Sequence, residues 1–216
     1  MSAITFDASL RAPFTMVIAG PTQAGKSQLT KQIIQRNAEI IFPRIEKIVY
    51  CYGVKQEKLH NELSSTCSNI TFNYGLPEEY GNDLLQHYLY VLDDLMFEAS
   101  KSKDVLNAFV RGSHHKNCSI IFITQNFFYD GLRNLTTNAK YICLFKNPSE
   151  TQVIKKVGMR MNCGRKWSLM EDAYKYCISS SHGYLFIDCS QQQDDRFRLR
   201  NSIFPENCTV FVNKIE

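Results

Sequence analysis

Gly20-Pro21-Thr22-Gln23-Ala24-Gly25-Lys26-Ser27 brings two glycines, a lysine and a hydroxyl together at the spacing G-x-x-x-x-G-K-[ST]. An apolar run, 14–19, precedes it and a helical pattern follows. Each residue type answers a need of phosphate chemistry. The glycines permit a tight turn and close backbone approach. Successive N–H groups and the positive end of the next helix attract phosphate oxygens. Lys26 can reach β- and γ-phosphates, and the Ser27 hydroxyl can ligate Mg²⁺. The stretch is a Walker A loop, which makes ATP with Mg²⁺ the expected ligand pair.

A second acidic element is needed to hold the metal and handle water. Tyr88-Leu89-Tyr90-Val91-Leu92-Asp93-Asp94 supplies it, as an apolar strand ending in an acid pair. At that strand end Asp93 can hold Mg²⁺ through its water shell. Neighbouring strand-end residues point differently, so Asp94 can face an attacking water. A GTPase would need an N-K-x-D motif to read its base. The Asn-Lys pair present, Asn213-Lys214-Ile215-Glu216, ends in Glu. Cys118-Ser119-Ile120-Ile121-Phe122-Ile123-Thr124-Gln125-Asn126 is a third part, a β-like run whose terminal Gln125 can bond both phosphate and lytic water.

Two basic features can carry further roles. Arg111, in Arg111-Gly112-Ser113-His114-His115-Lys116, is expected away from its own nucleotide, where it could reach a neighbouring subunit's γ-phosphate; Arg133 is the reserve for that role. His114 and His115 are adjacent and project apart, so they do not form a metal pair. Arg196, Arg198 and Arg200 alternate with Phe197 and Leu199. As a strand, 197–204 would place the guanidiniums on one face, where they could track a DNA backbone or line a subunit interface. A solvated strand face is the plain alternative.

The elements that must position these groups alternate along the chain. Strands are expected at 14–20, 45–52, 70–73, 88–92, 118–124, 141–145, 184–188, 197–204 and 210–212. Helices are expected at 28–37, 57–63, 97–110, 150–157 and 168–177, and 132–138 is a connection. Alternation of this kind implies an α/β fold, a parallel sheet with helices on both faces. The expected organisation is a short N-terminal arm, 1–12, and a single ATPase domain, 13–216, whose small C-terminal β extension begins at about 180.

Composition sets outer bounds. The 216 residues suffice for one sizeable core, and 44% hydrophobic with 21% charged is an ordinary globular balance. A net charge of +4 permits a nucleic-acid partner without demonstrating one. No apolar run approaches the ~20 residues of a membrane span, so no membrane insertion is expected, and the N-terminus lacks the shape of a signal peptide. The eight cysteines form no C-x-x-C pair and read as small core residues in a reducing, intracellular compartment. The sequons at Asn69 and Asn134 are then chance matches.

Taken together, residues 20–27, Val91-Leu92-Asp93-Asp94-Leu95-Met96, Arg111-Gly112-Ser113-His114-His115, Ile123-Thr124-Gln125-Asn126, residues 141–148 and residues 198–205 resemble a known family. It is the genome-packaging ATPases of Maverick/Polinton elements and related double-stranded DNA viruses, in the FtsK/HerA superfamily with the poxvirus-type packaging ATPases. The resemblance spans about residues 14 to 205. It implies an additional-strand P-loop fold in which the strand ending at Gln125 lies between the loop strand and the Asp93 strand. It also implies a homo-oligomeric ring, often a hexamer, that threads double-stranded DNA into a preformed capsid through portal or vertex proteins. Such a protein acts in the host nucleus or cytoplasm and can be associated with the virion. The cellular members usually carry Glu where this chain has Asp94, a shorter base. A small P-loop kinase or signalling NTPase that does not act on DNA is the alternative. Residues 158–167, with Arg160 and Arg165, could be an arginine-bearing lid in that case. A third reading, a scaffold with a vestigial site, is opposed by the intact Lys26, Ser27, Asp93, Asp94 and Gln125.

Overall fold

The computed structural model describes residues 7–81, 83, 85–109, 117–129, 132–148, 152–160 and 167–212. Its frame is an eight-stranded sheet. The strands are β2 (Thr15–Ala19), β4 (Lys47–Tyr52), β5 (Ile70–Tyr74), β6 (Tyr88–Asp93), β7 (Cys118–Thr124), β8 (Tyr141–Phe145), β9 (Tyr184–Asp188) and β10 (Leu199–Arg200). A two-stranded parallel pair, β1 (Leu10–Arg11) with β3 (Ile41–Phe42), lies apart from it.

The strand order is β10-β9-β8-β2-β7-β6-β4-β5. From β8 to β5 every pairing is parallel, and β9 and β10 are added antiparallel. This is the expected α/β fold, with β7 between the loop strand β2 and the acid strand β6. The central strands are buried along their whole length, which explains their unbroken apolar sequences.

Side chains alternate between two cores. On one face Met16, Ile18, Tyr50, Val91, Ile123 and Phe145 pack with Leu29, Ile33 and Ile34 of α1 (Lys26–Gln35) and Leu63 of α3 (Glu57–Thr66). The short α2 (Asn37–Ile40) follows α1. On the other face Val17, Leu92, Ile120, Phe122 and Leu144 pack with α4 (Met96–Lys101), α5 (Lys103–Asn107), α6 (Arg133–Asn138), α7 (Val153–Arg160) and α8 (Trp167–Cys177). Five cysteines, Cys51, Cys67, Cys118, Cys143 and Cys177, are buried in these cores as thiols.

Four local expectations are corrected. The helix expected at 97–110 is divided at Ser102, whose hydroxyl accepts from the Val105 N–H and caps a new helix. The connection at 132–138 is largely helical. The strand expected at 197–204 is not formed as such. A 3₁₀ turn occupies Asp195–Phe197, capped by the Asp194 carboxylate, and only Leu199–Arg200 pairs with β9. Residues 210–212 contribute a single bridge, Arg200 to Val210. At the other end Leu10 is buried in the α1-side core, and the Arg11 N–H donates to the Tyr141 hydroxyl at 3.0 Å. No helix among the described residues is long and apolar enough to cross a membrane.

Candidate functional site

Parallel strands β2, β7 and β6 end at the same edge of the sheet, so their following residues converge there. The turn 20–25 leaves β2 and enters α1 through Gly25, whose φ of 109° is the left-handed geometry that favours glycine. Gly20 is required for a different reason. A Cβ there would stand 2.6 Å from the Cβ of Phe145 on the neighbouring strand. The Gly20 N–H donates to the Thr124 carbonyl at 3.2 Å, tying the loop to β7.

The Lys26 ammonium lies along this turn and donates to the carbonyls of Gly20 at 2.6 Å and Pro21 at 2.7 Å. Burial lowers its pKa, and the charges of Asp93 and Asp94 oppose that shift. Ser27 is half-buried beside a cleft of about 430 Å³ between α1 and α3, which Gln56 also lines. Thr22 and Gln23 are exposed, and Pro21, Ala24 and Gly25 are half-buried.

Asp93 ends β6 on the α1 face and is 6% exposed. The Tyr50 hydroxyl donates to its Oδ2 at 2.7 Å, and the Gln56 side-chain amide donates to the same oxygen at 3.2 Å. Burial raises the Asp93 pKa and the Asp94 charge adds to the rise; the Tyr50 hydrogen bond and Lys26 pull it down. Burial beside this carboxylate pushes the Tyr50 phenol well above its ordinary range, so it remains a donor.

Asp94 differs from Asp93 in both backbone and exposure. It has φ 55°, in the left-handed region, and its side chain is exposed. Its carbonyl oxygen lies over Gly53, where any Cβ would collide with it. The Gly53 N–H also donates to the Asp93 carbonyl at 3.0 Å. Gly53 therefore seats the acid turn on β4. Gln125 follows β7 and is exposed at the same edge.

The fit to Mg²⁺ can be judged from the donors present. The Tyr50 and Gln56 hydrogen bonds both go to Asp93 Oδ2, so neither of them occupies Oδ1. A hydroxyl and a carboxylate are hard oxygen ligands of the kind Mg²⁺ takes alongside phosphate and water. These residues fit the ion.

Several expected residues fall elsewhere. Arg111, His114, His115 and Arg165 lie outside the described residues. Arg133 begins α6 and is exposed. The row Arg196, Arg198, Arg200 on one strand face is corrected by the 3₁₀ turn. Arg200 is 1% exposed, lies 3.7 Å from Asp188 and stacks over the Phe186 ring. Arg198 donates to Asp195 and to the carbonyls of Asp188 and Ser190. Arg196 pairs with Asp194 at the surface. A DNA backbone therefore cannot meet the three as one row.

The sequence reading missed Tyr50, Gly53, Gln56 and His182. Tyr50 and Gln56 meet Asp93 only through the pairing of β4 with β6, which no local pattern announces. His182 left a signal in the His182-Gly183 pair, a left-handed-tolerant residue before a glycine.

No protein-family model and no curated protein sequence matches the chain. Among solved structures, it is similar to the genome packaging NTPase B204 from Sulfolobus turreted icosahedral virus 2, determined in complex with ATP-gammaS. That likeness has a TM-score of 0.50 at 14% identity and covers 87% of this chain and 96% of that one. A second structure, Thermomonospora curvata EccC (ATPases 2 and 3) with a signal sequence peptide, gives a TM-score of 0.44 at 11% identity over 62% of this chain and 30% of that one. The first likeness shows a P-loop NTPase fold.

Proposed function

We propose that this chain is an ATP-hydrolysing motor that moves double-stranded DNA into a viral or virus-like capsid. The observation that carries the proposal is the convergence of the Lys26 turn, the buried Asp93 and the exposed Asp94 and Gln125 at one edge of three adjacent parallel strands. The similarity to a packaging NTPase that binds an ATP analogue supports the same direction, and so do the motifs that resemble the Maverick/Polinton and poxvirus-type group.

The chemistry follows from the residues. Backbone N–H groups of 20–27 and the N-terminus of α1 take the phosphates. Lys26 exchanges its bonds to the Gly20 and Pro21 carbonyls for bonds to β- and γ-phosphate oxygens. Ser27 and Asp93 Oδ1 would hold Mg²⁺, which when bound neutralises charge on the bridging and terminal oxygens. Asp94 orients the lytic water and accepts its proton. Gln125 bonds water and γ-phosphate together, so it can report the nucleotide's state to β7. Arg111 of a neighbouring copy, or Arg133 in reserve, would complete charge neutralisation in a homo-oligomeric ring, often hexameric in the family it resembles.

On this reading, residues 13–216 act as one ATPase domain. The ring engages duplex DNA and capsid portal or vertex proteins in the host nucleus or cytoplasm, and can travel with the virion. The experiment is displacement of a third strand from a long linear duplex by purified protein. The proposal expects displacement that needs ATP and Mg²⁺, grows with duplex length and is lost in Asp94→Asn. ATP turnover without displacement, even with the capsid vertex proteins added, would contradict the DNA-motor reading.

A further inference from the structure

The acids and Gln125 fix the direction in which a nucleotide must lie. They follow β6 and β7, both on one side of the loop strand β2. A triphosphate with its γ-end at those groups runs back along the loop, so its nucleoside leaves over the opposite neighbours, β8 and β9. Antiparallel pairing places the start of β9 beside the end of β8, with Tyr184 opposite Phe145, at the same edge as the loop. The turn before β9 therefore stands where the nucleoside must emerge.

That turn is built to hold one side chain there. After α8 the Gly183 N–H donates to the Ser180 carbonyl at 3.1 Å, and Gly183 lies so close to the Cys177 carbonyl that no Cβ would fit. His182 has φ 59°, a left-handed conformation that histidine tolerates better than most residues. Its Nδ1 lies 3.2 Å from the Ala24 carbonyl of the phosphate loop. The space beside Gly25 is also taken, since a Cβ on Gly25 would stand 3.1 Å from the His182 Cβ. A carbonyl only accepts, so in this contact Nδ1 carries the proton. A neutral ring then keeps Nε2 as an acceptor directed away from Ala24. The residue itself is exposed.

Resting on the nucleotide-binding reading above, we infer that His182 is the nucleoside-contacting residue of this site, its ring and Nε2 meeting the ribose and base of ATP. Its contact with Ala24 holds the ring against the phosphate loop. An aromatic face there offers stacking, and Nε2 offers an acceptor to an exocyclic amine or ribose hydroxyl.

The test compares two probes by calorimetry on the full chain. AMP-PNP carries the nucleoside, and inorganic tripolyphosphate lacks it. His182→Ala should weaken AMP-PNP by about 5- to 20-fold, the scale of one base–aromatic contact, and leave tripolyphosphate within about twofold. His182→Asn keeps a residue suited to the left-handed turn and a donor for the Ala24 carbonyl, but has no ring. It should show the same selective loss, and it separates the ring's role from that of the turn. Equal losses for both probes would mean that His182 only shapes the loop, and this would overturn the inference. No loss for either probe would overturn it too. If the wild-type chain bound neither probe, the nucleotide site itself would fail, a result visible before any variant is made.

Discussion

Asp93 carries a conflict between burial and charge that its proposed role explains and stability does not. Its carboxylate is buried and its pKa is raised, first by burial and then by the Asp94 charge. A raised carboxylate pKa means the folded chain holds a proton that the unfolded chain releases, so stability falls as pH rises from the ordinary value of 3.8 through the folded value. Asp93→Asn removes that cost, and Tyr50 can still donate to the amide oxygen. The variant should melt at a higher temperature than wild type at pH 7 and lose this advantage at pH 3, while its kcat falls by at least about 100-fold. Thermal melts at the two pH values, with hydrolysis assays alongside, check the pair of effects. Tyr50→Phe acts on the same group in the opposite sense. The lost hydrogen bond lets the Asp93 pKa climb further, so the acid limb of the pH–rate profile should move to higher pH, and activity should fall by about 10- to 100-fold, the usual cost of removing a residue that orients a metal-holding group. An unmoved acid limb would mean that Asp93 does not set it.

At the scale of elements, the site depends on how neighbouring strands seat one another. Gly53, just past β4, lets the Asp94 carbonyl approach its backbone. Gly53→Ala should leave the sheet folded with a loss of about 1–3 kcal/mol in urea unfolding, and hydrolysis should suffer more than stability, since the Asp94 turn must shift. The Arg200–Asp188 pair joins β10 to β9, with both groups buried. Arg200→Met should cost about 3 kcal/mol because the buried Asp188 loses its ion-pair partner and keeps only its Ser190 hydrogen bonds and the Lys140 charge. Arg196→Ala, at the surface, should change stability by less than about 0.5 kcal/mol. The same contrast explains what could be read from the sequence. The central strands and the loop were legible because unbroken apolar runs bounded by functional residues are local signals. The arginine alternation at 196–200 misled because period two announces a strand but does not exclude a capped 3₁₀ turn, and Asp194 supplies that cap. Ser102 likewise divided a helix whose apolar periodicity continued through it. Tyr50 and Gln56 reach Asp93 through strand pairing across dozens of residues, which no local pattern contains.

At the scale of the whole molecule, the parallel sheet delivers the loop, the acid pair and Gln125 to one edge, and the antiparallel β9 brings the turn before it to the same edge. On the proposed reading, one chain holds the triphosphate, while charge neutralisation from a neighbour and a grip on DNA belong to the assembly. Lys26→Ala isolates the first half. Without its ammonium the γ-phosphate charge goes unmet, and hydrolysis should fall to background. The second half is tested most directly by the ATP hydrolysis rate of the purified chain, with and without long double-stranded DNA, across protein concentration. The account predicts a rate that rises with DNA and climbs more steeply than linearly with protein, as subunits complete one another's sites. A rate per chain indifferent to both DNA and concentration would contradict it and point to a monomeric kinase-like or switch-like enzyme.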